Sequence, residues 1–246
     1  MIAYLSILSF RLTPNYKNEI AVWTQALRQN PNSSIAYLFL GNVCFNTSVC
    51  TPDQALFLYQ KSIQLNPDYL RSYISLGEFY SKNHRYGEAL GAYEHAIGLG
   101  RPFAKIHCYR SISDIYLAQD QPAEALSYLE KAIALETDPK YQKEREKRPD
   151  ASSQEAAIRC DLGTIYLMRG ENKKAVGLFQ EAVILNPKQA NGYAGLGVSF
   201  MNLKDYKNAA RAFQEATEFE PQNDSHKNNL AAAHTYLNQS TSNGRS

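Results

Sequence analysis

Residues 190–223 read ANGYAGLGVSFMNLKDYKNAARAFQEATEFEPQN. Within this stretch Gly197, Phe200, Ala209, Phe213, Ala216 and Pro221 repeat, 34 positions on, the set Gly163, Tyr166, Ala175, Phe179, Ala182 and Pro187. Gly77, Tyr80, Ala89, Tyr93 and Ala96 form a further copy. A fixed period of this size reads as one helix pair stacked again and again. The fold class that follows is all-α, a solenoid of antiparallel helix pairs.

The copies follow the physics of a helical hairpin. Helix A needs a large residue, then Leu-Gly, then an aromatic. Helix B needs a small residue, an aromatic and another small one. Small residues let two helices approach closely, and large ones fill the space between neighbouring hairpins. Asn-Pro ends helix B, because proline disfavours helical backbone in the residue before it.

Five full repeats are expected, at 34–67, 70–103, 106–139, 156–189 and 190–223. In the first, the turn between helices carries two extra residues around Ser48 to Thr51, and Thr51-Pro52 fits an N-cap followed by a first-turn proline. The second ends at Gly98 to Arg101, with Gly100 read as a left-handed terminator. Ser113 replaces the glycine of the third, and Arg159 stands at a large-aromatic position of the fourth.

Residues 1–31 read as a partial repeat. Met1 to Leu12 form its short helix A, and Glu19, Trp23, Ala26 and Asn30-Pro31 mark its helix B. Residues 224–239 read as a capping helix with Leu230, Ala231, Ala233, Tyr236 and Leu237 on its apolar side, closing the last stacking face. The tail 240–246 is expected to be disordered. Residues 140–155 break the period with mixed charge, and a solvated loop or short exposed helix is expected there. Ser152 or Ser153 ahead of Gln154 and Glu155 fits a cap for the next helix.

Composition narrows the function classes. The 26 basic and 24 acidic residues nearly balance, so no nucleic acid or anionic membrane is called for. The four cysteines, Cys44, Cys50, Cys108 and Cys160, form no CxxC pair. Cys44 and Cys160 read as small core hydrophobes, a pattern compatible with a reducing compartment. The five histidines offer no HExxH or HxxxH spacing, so no metal is expected. No phosphate-loop, dinucleotide or nucleophile-elbow string is present, and neither a cofactor nor a catalytic role is expected. Most of the 17 tyrosines fall at repeat packing positions. The apolar run Met1 to Phe10 is too short to span a bilayer, which takes roughly 20 residues. It reads as a packed helix or as the end of a membrane span.

These residues resemble the tetratricopeptide repeat, over about 34–223 and the two flanks. The resemblance implies a right-handed superhelix whose A helices line a concave groove that takes a peptide or helix of a partner protein. On that pattern the groove positions are Leu38, Asn42 and Phe45; Arg71, Ile74, Glu78 and Lys82; His107, Arg110, Asp114 and Leu117; Cys160, Thr164, Leu167 and Met168; and Asn191, Val198 and Met201. The carboxylate clamp of chaperone-binding members is matched at Asn42 alone: Leu38, Ser75, His107 and Ser111 occupy its other positions. The inward asparagine ladder of sugar-transferring members is absent, its places held by Phe39, Ser75, Ser111, Asp161 and Gly195.

The run from Ala3 to Ser33 also resembles the junction of membrane-embedded protein O-mannosyltransferases, with Tyr4 to Phe10 matching the end of the last membrane helix and Trp23 the tryptophan of the helix that follows. The expected function is therefore a non-catalytic adaptor for a protein or peptide, placed in the cytoplasm. The alternatives are the recognition portion of a membrane glycosyltransferase, on the extracytoplasmic face, or a structural subunit of a larger assembly.

Overall fold

A computed structural model describes residues 14–47 and 50–243. The readings placed on Met1 to Leu12, on Ser48 and on the last three residues lie outside this range. The described residues form thirteen α-helices and no strand. Helix α1 is Pro14–Gln29. The hairpins are α2 (Ser34–Thr47) with α3 (Pro52–Leu65), and α4 (Leu70–Lys82) with α5 (Tyr86–Leu99). Next come α6 (Pro102–Ala118), α7 (Pro122–Glu136) and a short α8 (Pro139–Arg145). Two more hairpins, α9 (Ala151–Met168) with α10 (Asn172–Leu185) and α11 (Ala190–Asn202) with α12 (Tyr206–Phe219), lead to α13 (Asp224–Asn243).

The chain divides into two compact units, Met1–Ile115 and Tyr116–Ser246, the division falling within α6. In the first, α1 packs on α2, α2 on α3 and α4, α3 on α4, and α4 on α5. In the second, α7 meets α8 and α9, α9 meets α10 and α11, α11 meets α10, α12 and α13, and α12 meets α13. Within each unit these contacts run mostly between successive helices, with α2 on α4, α9 on α11 and α11 on α13 reaching the helix after next, as in a solenoid.

The glycine of helix A and the aromatic of helix B form one device. A Cβ added to Gly197 would stand 2.5 Å from Phe213, one on Gly163 2.8 Å from Phe179, one on Gly77 2.7 Å from Tyr93, and one on Gly41 2.8 Å from Tyr59. The glycine is thus the floor of a slot that an aromatic ring fills. The Phe179 ring is gripped twice, because Gly195 of the following A helix lies against it as well. Burying such a ring contributes about 1.5–3 kcal/mol.

Local signals explain several boundaries. Thr51 caps α3 in a reciprocal box: its hydroxyl accepts from the Gln54 amide at 3.3 Å, and the Gln54 side chain accepts from the Thr51 amide at 3.0 Å. The left-handed residues sit in the turns between helices A and B, at His84, Asp120, Gly170 and Lys204. The expectation for Gly100 is corrected. Its φ is −83°, because the connection from α5 to α6 is an extended step rather than a left-handed cap.

Three other expectations change. Helix α9 begins at Ala151, ahead of Ser152 and Ser153, which therefore lie inside it; Asp150 precedes it without a side-chain cap bond. Helix α13 runs on to Asn243, so residues 240–243 continue a helix where a disordered tail was expected. Its packed side consists of His226, Leu230, Ala233 and Leu237, while Ala231 is exposed and Tyr236 stacks on Tyr206 at 5.4 Å.

The cysteine reading is corrected too. Cys44 is buried, as expected, but it is disulfide-bonded to Cys50. The bond ties Cys50, just ahead of α3, to the last turns of α2. Cys108 and Cys160 are buried and form no disulfide.

Candidate partner-binding faces

In the first unit the A-helix positions assemble into linked pairs. Lys82 Nζ stands 4.7 Å over the half-buried Phe45 ring, which packs on Phe79 at 5.5 Å. Glu78 on α4 meets His107 on α6 at 3.4 Å. Asn42 accepts from the Tyr59 hydroxyl at 3.0 Å, so its carbonyl is tied to helix α3. Arg71 and Asp114 are exposed, and Ile74 and Arg110 are half-buried.

Leu38 does not belong to this face: at 1% exposure it is core. The α2 sequence SIAYLFLGNVCFNT is apolar nearly all round, so its inward position is enclosed rather than offered.

Burial dominates the electrostatics here. It raises the Tyr59 and Tyr93 hydroxyls and pushes the Cys108 thiol up to about 12, with the Glu78 charge adding to each shift. For Tyr93 the Ser111 hydrogen bond opposes the rise. Cys108 is therefore an inert thiol at neutral pH.

In the second unit the corresponding positions on α9 and α11 carry no charge. Met168 is 59% exposed and Val198 36% exposed, and Asn191 is exposed. Thr164 is exposed, but its hydroxyl donates to the Cys160 carbonyl at 2.9 Å. Leu117 and Leu167 are half-buried, and Met201 packs toward the cluster around Ala209 and Phe213. Cys160 is core, as expected of a small hydrophobe, and its groove assignment is corrected: it is 6% exposed, and its Sγ takes a contact from Gln189 Nε2 at 3.4 Å.

One constellation escaped the sequence reading. Arg159, standing where the repeat holds a large aromatic, is enclosed and forks onto Glu136 with both terminal nitrogens, with Glu181 3.5 Å from its Nε. Next to it Glu155, itself buried, accepts from the Tyr141 hydroxyl at 2.7 Å and from Arg145 at 2.7 and 3.2 Å. The charged insertion is thus partly anchored. Its helix α8 buries Tyr141 completely and clamps onto α9, while Lys140, Lys143 and Lys147 remain solvated. Tyr141 is held well above the usual tyrosine range, by burial first and by the Glu155 bond second. The signal for this cluster was present in sequence as a lone arginine at an aromatic position.

Among the described residues, no group of three or more His, Cys, Asp or Glu side chains is placed to hold a metal ion. None of the described helices is long and apolar enough to cross a membrane.

Tetratricopeptide repeat models match residues 68–137, 111–189 and 160–225. The chain belongs to the tetratricopeptide repeat family. Proteins of this family mediate protein–protein interaction. The chain is 24% identical over 227 residues to human tetratricopeptide repeat protein 6, covering 80% of this chain and 42% of that protein. It is 28% identical over 179 residues to human protein O-mannosyl-transferase TMTC3, covering 73% of this chain and 18% of that protein. The chain therefore spans less than half the length of these curated relatives. Among solved structures, Pseudomonas aeruginosa pilF superposes with a TM-score of 0.68 at 18% identity, over 94% of this chain and 96% of that one. That likeness bears on the fold.

Proposed function

We propose that this chain is a non-catalytic adaptor that holds a peptide or helix of a partner protein against the inward side of its A helices. The residues assigned to contact in the first unit are Asn42, Phe45, Arg71, Ile74, Glu78, Lys82, His107, Arg110 and Asp114, and Leu117 is assigned in the second. The others in the second unit are Thr164, Leu167, Met168, Asn191, Val198 and Met201. The observation that carries the reading is the exposure of Met168 and Val198 on adjacent A helices, large apolar groups that the fold itself leaves uncovered. Thioether and branched aliphatic side chains adapt to an apolar partner surface. The test is a triple substitution, Arg71→Ala with Met168→Ala and Val198→Ala, in a pull-down that recovers a partner with the unmodified chain. Recovery is expected to be lost while circular dichroism stays unchanged; full recovery overturns the reading.

A second reading has its own support. The Cys44–Cys50 disulfide suits an oxidising compartment. The similarity to a human protein O-mannosyl-transferase suits a recognition portion that presents acceptor protein to a membrane enzyme. Alkylation of the native chain before reduction tests this. Protected Cys44 and Cys50 are expected, and labelling of both without reductant sinks it.

A further inference from the structure

The turns joining α9 to α10 and α11 to α12 lie side by side. Asn202 Nδ2 donates to Asn172 Oδ1 at 3.0 Å. Gly170, Glu171, Asn172, Lys173, Lys174 and Leu203 line a single open cleft of about 410 Å³ there. Two features of this edge are not explained by folding.

The first is Leu203, which is 38% exposed. The same repeat position holds Asn83, Gln119 and Arg169 in the other hairpins, all polar, as a solvent-facing turn favours. The exposed part of Leu203 keeps apolar area in water at a position where a polar side chain would be solvated instead. Met168, at the end of α9, adds a second exposed apolar group beside the same turn.

The second is the charge. Arg169, Lys173, Lys174, Lys204 and Lys207 crowd the two turns, against two acids that are already engaged. Glu171 is held by Lys174 at 2.5 Å, and Asp205 by the Asn208 amide and side chain at 3.2 and 2.7 Å. Arg169, Lys173, Lys204 and Lys207 are exposed. Where Lys174 stands in the first turn of α10, helices α5 and α7 carry Glu88 and Glu124. A cation at that end of a helix opposes the helix dipole, so helix stability does not account for the exchange.

We propose that this edge is a docking surface for an acidic peptide segment of a partner protein that carries one large aliphatic side chain. The aliphatic group enters the cleft against Leu203, and the flanking carboxylates pair with Arg169, Lys173 and Lys204. The cleft and its cations are residues other than the inward A-helix positions, and only Met168, at the end of α9, borders both. Charge complementarity selects the partner and speeds its arrival, while the apolar contact fixes register.

The test is fluorescence anisotropy of the full chain with a fluorescein-labelled peptide of about a dozen residues in which aspartates flank a central leucine. Saturable binding is expected, weakened by about tenfold on raising salt from 0.05 to about 0.5 M. Leu203→Asn is expected to weaken it about tenfold, and Lys173→Glu with Lys204→Glu to abolish it. Lys188→Glu, the same charge reversal in the turn between α10 and α11, is expected to leave it unchanged. Circular dichroism accompanies every variant. The proposal is overturned by no binding, by equal binding when serine replaces the peptide's leucine, by insensitivity to Leu203→Asn, or by tighter binding of a single-stranded oligonucleotide or a phosphatidylserine vesicle.

Discussion

Two joints in this protein solve the same packing problem in different ways. Between α11 and α12 the Phe213 ring fills a slot floored by Gly197, an apolar fit that needs only shape. Between α7 and α9, where the repeat is interrupted, Arg159 and Glu136 join the two helices by charge instead, with Glu155, Tyr141 and Arg145 packed beside them. An apolar slot is forgiving in chemistry and strict in volume. A buried ionic joint is the reverse: it costs desolvation and fails when one partner is removed, yet it fixes which element sits where. The contrast suggests that an insertion is tolerated in the array because charge pairing locks the extra helix α8 in one place.

The sharpest way to break that comparison is to remove one member of each joint. Phe213→Ala is expected to cost about 3–5 kcal/mol in urea unfolding. Hydrogen exchange should show the loss concentrated in α11 to α13; uniform loss along the chain would contradict the nearest-neighbour picture. Arg159→Met is expected to cost about 3 kcal/mol by stranding Glu136, and adding Glu136→Leu is expected to restore most of it. The phenylalanine site has no such rescue. If the double variant is no more stable than the single, the ionic joint is not acting as a pair.

Smaller effects sharpen the same contrast. Cys50→Ser opens a short loop and is expected to cost about 2 kcal/mol, felt in α2 and α3. Tyr141→Phe removes one donor to Glu155 and is expected to cost about 1 kcal/mol, whereas Tyr93→Phe, in a glycine-floored slot, should cost less. The alkaline limb is the mildest test. Burial keeps Tyr59, Tyr93 and Tyr141 protonated in the folded state well above their usual range, whereas the unfolded chain ionises near pH 10. The unfolded state therefore loses protons first, and stability should be intact below about pH 10 and decline as pH rises from there. Replacing all three by phenylalanine should flatten that decline in a melting-temperature series.

Much of this was legible beforehand. The 34-residue period carried the all-α repeat fold, and Thr51-Pro52 placed the start of α3, because capping and helix-breaking act over a few residues. The candidate faces were legible only in part. Leu38 and Cys160 occupy inward positions by count but are enclosed, since burial depends on what neighbouring helices bring. The Cys44–Cys50 bond hid behind a spacing with no standard motif, and Tyr141 behind a run of charges. At the edge by Leu203 and Lys174 the departures from the repeat stood in the sequence all along, but only adjacency of the two turns gave them a meaning.

The sequence by itself settled the helical period, the small-and-aromatic pairing and the family, because these rest on side-chain size at fixed local spacing. The tertiary structure alone decided which side chains face solvent, how the insertion is pinned and where two cysteines meet. Those outcomes depend on contacts between elements far apart in the chain, and a linear pattern carries no distance between them.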